Sequence, residues 1–339
     1  YVMGPEIAEF EDLLVRYCDV DDAISCGSGT DALLIALMAA GIGQGDSVLL
    51  PSFTFVASAE AVVLAGATPV FVDCDPNTYL IDCDQIRGAL EANEHDCCAI
   101  IAVDLFGQPA DYRELNSIAT ENRLTLIADA AQSFGATQNS CPVGTLADIS
   151  TTSFYPAKPL ACYGEGGAIL TNRSALAEVC RSVRFHGQET NRYDSVRLGI
   201  NGRMDTLQAT ILIEKLAIFD DEISARQRIA QRYNDAFETL PVVTPKLLPG
   251  NTSVWSSYTI QVESRNDLIA HLKADSIPSA IYYRKPLHQQ APYKDYPVAP
   301  GGVRNTEALC NKVLSLPMHG YLEDGEQDEV IDSVIQSFA

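Results

Sequence analysis

Apolar and polar positions alternate in short blocks along the first two-thirds of the chain. Six β-rich runs stand out, at Ser47–Leu50, Thr68–Val72, Ala99–Asp104, Thr125–Ala128, Ile149–Phe154 and Gly167–Thr171. Several are apolar throughout, the pattern of strands buried on both faces. Helical patterns lie between them at Asp31–Ala40, Ala57–Ala65, Asp84–Ala92 and Tyr112–Asn122. Strand–helix alternation predicts a mainly parallel sheet covered by helices. From Asp205 to about Leu240 the pattern becomes helical and long, with Leu207, Ile211, Leu216 and Phe219 forming one apolar stripe. Such an element can bridge to a smaller C-terminal unit. Pro and Gly thicken at Pro241–Gly250 and Pro292–Gly302, which marks loops. Tyr258–Val262 and Ser279–Tyr283 read as strands, and Glu326–Ser337 as a closing helix.

Composition narrows the function. The 339 residues are 47% hydrophobic, enough for a substantial core. Lys and Arg number 23 against 45 Asp and Glu, a net charge of −22. That balance argues against binding the phosphate backbone of a nucleic acid, or an anionic membrane surface. No apolar run approaches the roughly 20 residues that span a bilayer. The ten cysteines show no C-x-x-C spacing and are scattered through apolar segments, as expected of reduced, buried thiols in a cytoplasmic protein. No His, Asp and Glu grouping has metal-ligand spacing, so no metal is expected. The chain opens on Tyr1 rather than an initiator Met, so residues are expected to be missing before it.

Three segments carry candidate chemistry. Cys26-Gly27-Ser28-Gly29-Thr30-Asp31 is a Gly-rich turn opening an apolar helix, so it presents free N–H groups at a positive dipole end. It suits a phosphate or carboxylate, and equally an ordinary helix cap. In Leu126-Ile127-Ala128-Asp129-Ala130-Ala131-Gln132-Ser133, a carboxylate ends a buried strand, where ionisation is costly without a partner. A helix-capping Asp reads the same way. Thr151-Thr152-Ser153-Phe154-Tyr155-Pro156-Ala157-Lys158 places a lysine after an apolar strand, just before Gly164-Glu165-Gly166-Gly167. Burial lowers a lysine pKa toward nucleophilicity, while a snorkelling lysine would be inert. A phosphate seat, an Asp able to keep a pyridine nitrogen protonated, and a reactive lysine are together the parts that pyridoxal phosphate needs.

The combination resembles the DegT group of sugar-nucleotide aminotransferases. The matching stretches are GSGTDAL, PSFTFVASAEAV, GATPVFVDCD, DLFGQPAD, IADAAQSFGA, TTSFYPAK, YGEGGA, GINGRMDTLQA and YYRKPLHQQ. They run in family order over nearly the whole chain. The resemblance implies an α/β protein of aminotransferase fold type I. A large cofactor domain (1–222) with a mainly parallel sheet would be joined to a smaller α+β domain (223–339). It also implies an additional helix before the Gly4-Pro5-Glu6 segment.

The resemblance assigns roles by position. Lys158 would hold pyridoxal phosphate covalently and then shuttle a proton. Asp129 would protonate the pyridine nitrogen, and Gln132 would contact the ring or its 3′-oxygen. Gly29, Thr30 and Ser153 would bind the phosphate, and Phe55 would stack on the ring. Asn201 would reach the phosphate in a neighbouring subunit, which implies a homodimer with shared sites. Arg203, His186, Tyr282, Tyr283 and His288 would face the sugar nucleotide. Two departures from many relatives are Glu165 in place of Asp, and Tyr282-Tyr283-Arg284-Lys285-Pro286 where some have His-Tyr-Pro.

The implied reaction moves nitrogen from glutamate to a keto sugar nucleotide. The segments around His186 and Tyr283 look most like enzymes aminating C3 of UDP-2-acetamido-3-keto-uronic acids for O-antigen synthesis. A dTDP-keto-deoxysugar is the alternative substrate. Other classes share the scaffold. A sugar dehydratase would carry His where Lys158 stands, and a desulfurase would need a mobile catalytic Cys. A non-catalytic binding or regulatory protein would be expected to lose Lys158 or Asp129.

Overall fold

The computed structural model describes every residue except Thr190, Arg192 and Ala339. The N-terminal half runs α1 (Pro5–Cys18), β1 (Asp22–Cys26), α2 (Gly29–Ala39), β2 (Ser47–Pro51), α3 (Ala57–Leu64), β3 (Thr68–Val72), α4 (Cys83–Ala92), β4 (Cys97–Val103), α5 (Tyr112–Asn122) and β5 (Thr125–Asp129). A small hairpin of β6 (Thr137–Gln138) and β7 (Cys141–Pro142) precedes β8 (Ile149–Ser153), β9 (Gly167–Thr171), α6 (Ser174–Arg184), α7 (Thr206–Leu216) and α8 (Phe219–Phe237). The chain ends with β10 (Tyr258–Gln261), α9 (Arg265–Ala274), α10 (Arg304–Lys312), β11 (Val313–Leu316) and α11 (Asp324–Gln336).

Seven strands form the central sheet in the order β1-β9-β8-β5-β4-β2-β3. β9 runs antiparallel to both neighbours, and the other pairings are parallel. Every residue of β2, β8 and β9 is buried, because helices cover both faces. One apolar layer joins α2, α3 and α6 to the sheet, and a second joins α4 and α5 to the opposite face. Helix starts follow local chemistry. The Ser28, Asp82 and Asp111 side chains accept from the free N–H groups of α2, α4 and α5 respectively.

A second centre of burial lies toward the C-terminus. There Tyr233 and Phe237 of α8 pack with Tyr258 and Ile260 of β10, Leu268 of α9, Leu314 of β11 and Val334 of α11. The helix expected over 205–240 is two helices. Ile218 leaves the helical region at φ −112° and ψ 5°, and the stripe drawn from Leu207 does not hold, since Leu207 is exposed. No strand forms over 279–283. Only Ala280 bridges, to Ser315, before the chain turns. Pro278 and Pro286 flank this stretch and remove backbone donors.

Asp73, just past β3, ties distant parts of the chain together. Its Oδ1 accepts from the Thr306 backbone N–H and hydroxyl at 2.8 and 2.7 Å. Its Oδ2 accepts from the Asn305 N–H at 2.9 Å. The carboxylate therefore caps α10 from 232 residues away in sequence. Asp73→Ala strands these donors, each costing about 1–3 kcal/mol. Urea denaturation should show Asp73→Ala less stable by about 3 kcal/mol, with Asp73→Asn intermediate. An unchanged midpoint for Asp73→Ala would remove this tie from the account of the fold.

Candidate active site

The parallel strands deliver their carboxyl ends to one side of the sheet, where ligands bind in α/β folds. A cavity of about 1200 Å³ opens there. Asp129 ends β5, and Ser153 ends the adjacent β8. The chain after β8 turns back through a Lys158 N–H to Tyr155 carbonyl bond of 2.8 Å, which brings Lys158 to the same opening. Nine of the residues singled out from the sequence line this cavity: Gly29, Thr30, Phe55, Asp129, Gln132, Ser153, Lys158, Tyr282 and Tyr283.

Asp129 is 6% exposed. Its Oδ2 accepts from Ser58 Oγ at 2.8 Å, and its Oδ1 from the Ala131 N–H at 3.3 Å. Burial pushes its carboxyl above the usual carboxylate range, a shift that the Ser58 hydrogen bond and the nearby Lys158 charge oppose. Burial likewise pulls the Lys158 ammonium below an ordinary lysine, while Asp129 pulls the other way.

The candidate phosphate seat forms a cradle. The N–H groups of Gly29 and Thr30, at the start of α2, have no protein acceptor among the described residues. Gly29 lies so close to Ser153 that a Cβ there would come within 2.6 Å of Ser153 Cβ. Gly167 is as tight, since its Cβ would sit 2.4 Å from the Ser28 carbonyl oxygen. These glycines let helix start and strand end converge. The Thr54 hydroxyl, which also lines the cavity, is buried without a partner. Gln132 is oriented by its surroundings. Its Oε1 accepts from the Phe106 N–H at 2.9 Å and Ser256 Oγ at 3.3 Å, leaving Nε2 toward Tyr283 Oη at 3.5 Å. Phe55 stands at the mouth with its ring centroid 6.4 Å from that of Tyr283. A donor-lined anion seat, a buried carboxylate and a flanking aromatic at one opening fit a planar, phosphorylated pyridine.

Four candidates are not brought into the cavity. His288 is held between Ser52 Oγ at 2.8 Å and Glu307 Oε1 at 3.3 Å. His186 is exposed in a tight turn with φ +60°. Asn201 is exposed, and its Oδ1 accepts from Arg203 Nε at 2.8 Å. The Arg203 guanidinium lies 4.8 Å from the Phe185 ring centroid. This segment still abuts the Gly-rich turn, because the Gly27 N–H donates to the Gly202 carbonyl.

Sequence reasoning gave no role to Ser58 or Asp104. Ser58 lies inside the PSFTFVASAEAV stretch, and only its contact with Asp129 distinguishes it. Asp104 is fully buried and accepts from Ser133 Oγ, Tyr112 Oη and the Ala110 N–H. Burial lifts its carboxyl to about 7, and the nearby Asp129 charge adds to the rise.

The sheet order, strand-end Asp and Lys, and phosphate cradle define a pyridoxal-phosphate-dependent aminotransferase of fold type I. The model of the DegT/DnrJ/EryC1/StrS aminotransferase family matches residues 1–335, and the chain belongs to that family. A UDP-2-acetamido-2-deoxy-3-oxo-D-glucuronate aminotransferase from Pseudomonas aeruginosa is 44% identical over 95% of this chain and 88% of its own length. A pleiotropic regulatory protein from Geobacillus stearothermophilus is 39% identical over 100% and 91%. Among solved structures, a DegT DnrJ EryC1 StrS aminotransferase from Brucella abortus superposes with a TM-score of 0.98 at 49% identity, covering 100% of this chain and 92% of that one. A Bacillus subtilis protein solved with bound cofactor PMP has a TM-score of 0.92 at 32% identity, covering 99% and 78%.

Asp129 opposes the loss of charge at Lys158, so removing it should lower the lysine pKa further. NMR titration of lysine-labelled, cofactor-free protein should place the Lys158 midpoint below that of an ordinary lysine. It should fall again in Asp129→Asn. An unchanged midpoint in that variant would show that the two groups are not electrostatically coupled.

Proposed function

We propose that the enzyme transfers an amino group from glutamate to C3 of a UDP-2-acetamido-3-keto-uronic acid, for O-antigen or related surface polysaccharide synthesis. The observation that carries the chemistry is the convergence of Lys158, Asp129 and the free N–H groups of Gly29 and Thr30 at one opening. The substrate rests on likeness to the Pseudomonas aeruginosa aminotransferase.

Pyridoxal phosphate supplies a conjugated ring that draws electrons from the carbon bearing the migrating nitrogen. The chain's residues supply the rest. Gly29, Thr30 and Ser153 would hold the phosphate, Phe55 would flank the ring, and Asp129 would keep the ring nitrogen protonated. Gln132 offers a donor toward the ring's oxygen. Lys158 Nζ would hold the cofactor and would move a proton beside it, a task suited to a lysine whose pKa burial has lowered. The division into domains 1–222 and 223–339 belongs to this reading, with α8 crossing between the two centres of burial. Free cysteines suit a reducing cytoplasm, and among the described residues no helix is long and apolar enough to cross a membrane.

Two checks separate this reading from its rivals. The purified protein should show the visible absorbance of bound pyridoxal phosphate, and borohydride should fix it to Lys158. Lys158→Ala should lose both the borohydride-fixed adduct and turnover. Persistent steady-state turnover in that variant sinks the assignment. The UDP-3-keto-uronic acid should be aminated at least about tenfold faster than a dTDP-keto-deoxysugar. The reverse preference selects the alternative substrate. The name of the Geobacillus relative keeps a regulatory role in view, and a colourless protein that turns over neither substrate would favour it.

We also propose a homodimer with shared active sites. Asn201 and Arg203 lie outside the cavity, and apolar side chains are exposed beside them. Leu198 is 85% and Leu207 66% exposed, and Tyr163, whose N–H donates to Gln208, is also exposed. Exposed apolar side chains flanking residues expected to serve a site suit an interface. Mixed dimers test it. Refolding Lys158→Ala together with Arg203→Ala should regain activity that neither variant has alone, because one site of each hybrid is intact. No regain, or an active monomer in sedimentation, overturns the shared site.

A further inference from the structure

Among the described residues lining the cavity are one lysine and one arginine, Lys158 and Arg226, beside the imidazole of His319. The mechanism employs Lys158 and leaves Arg226 without a task. Arg226 projects from the buried stripe of α8 and is 8% exposed. Its Nη1 donates to the Trp255 carbonyl at 3.0 Å, but its Nε is buried with no partner. It makes no ion pair among the described residues. Glu222, one turn earlier on α8, acts on it through its charge without a direct contact, and that carboxylate accepts from the Tyr321 hydroxyl. A guanidinium stripped of water and left incompletely bonded is costly unless an anion completes it.

Its place in the cavity is informative. The strap from Trp255 to Ser256 receives Arg226 at the Trp255 carbonyl and donates from Ser256 Oγ to Gln132. Arg226 is therefore linked through this strap to Gln132, the residue expected to contact the cofactor ring. The planar donor fork of an arginine matches a carboxylate.

We propose that Arg226 is the carboxylate-binding residue of this cavity, a specificity residue for the anionic end of a reactant. It rests on the aminotransferase reading. Two reactants there carry a carboxylate, namely the amino donor and a uronic acid ring. In an acidic protein, this one fixed charge draws a carboxylate toward the reacting centre and leaves neutral amines behind.

Glutarate tests this, because it has the donor's carboxylates and no amino group to react. Calorimetry on the holoenzyme should give a Kd that rises at least about tenfold in Arg226→Gln, with Arg226→Lys intermediate. Glucuronate, titrated in parallel, marks the other source. The ligand whose affinity depends on Arg226 identifies the carboxylate. In kinetics, the KM for glutamate or for the keto sugar should rise more than kcat falls. If Arg226→Gln does not fold, the wild type still decides. Trp255 is the single tryptophan of the chain, and its carbonyl bonds Arg226. Its emission should respond to glutarate and not to the uncharged glutaramide. Unchanged Kd values for both acids in the folded variants overturn the proposal, as does equal binding of glutaramide. Failure to aminate any keto sugar would overturn the substrate reading alone, since glutarate binding is measured without it.

Discussion

The buried carboxylate of Asp129 is the group around which the rest of the centre is arranged. A carboxylate at the end of an interior strand loses most of its hydration, and that loss must be offset locally. A hydroxyl from α3 and one backbone N–H offset part of it. The remainder shows as a carboxyl pushed upward by burial. A protonated ring nitrogen would complete such a site, and the cavity beside it is lined to suit the same cofactor. The neighbouring strand supports the arrangement, since the Asp104 N–H donates to the Asp129 carbonyl and fixes the strand end. Asp104 itself sits behind on three donors, so two acids share this region, and each makes ionisation of the other more costly.

The net charge of −22 acquires a different meaning at this scale. It still argues against nucleic acid and anionic membranes as partners. For a phosphorylated cofactor and a nucleotide sugar, the whole-protein field is unfavourable, so attraction has to be local. Free N–H groups at the start of α2 supply one centre, independent of side-chain charge and of pH. Lys158 and Arg226 supply two more, both partly desolvated and therefore stronger than surface cations. An acidic exterior around a few buried donors keeps the protein soluble and still admits anions.

The sheet was largely legible because burial on both faces leaves a mark that requires no partner to read. Runs such as Ser47–Leu50 and Ile149–Phe154 gave strands β2 and β8 within a residue. The candidate site was legible for a related reason, since Asp129 and Ser153 end strands and Lys158 follows one, and parallel strands deliver their ends together. What sequence could not show depends on tertiary placement. β1, with the sequence Asp-Ala-Ile-Ser-Cys, is short and ambiguous until β9 pairs with it. The break at Ile218 has no Gly or Pro to announce it. In Ala225-Arg226-Gln227-Arg228 the two arginines look alike, yet α8 buries the first and exposes the second. Only knowing which face of α8 meets the Trp255 strap separates them.

That contrast bears on how such a protein changes substrate without losing its chemistry. The residues proposed to hold the cofactor stand on strand ends and a helix start, packed into cores that tolerate little movement. The residues expected to face the sugar, Tyr282, Tyr283, His186 and His288, sit in turns and loops. Loops accept insertions and exchanges at small cost to stability, whereas strand ends do not. Arg226 falls between these groups. It lies on the buried face of α8, yet it faces the reactants rather than the cofactor. A carboxylate common to many reactions would therefore be read from the rigid part of the molecule, and the varying sugar from the part free to vary.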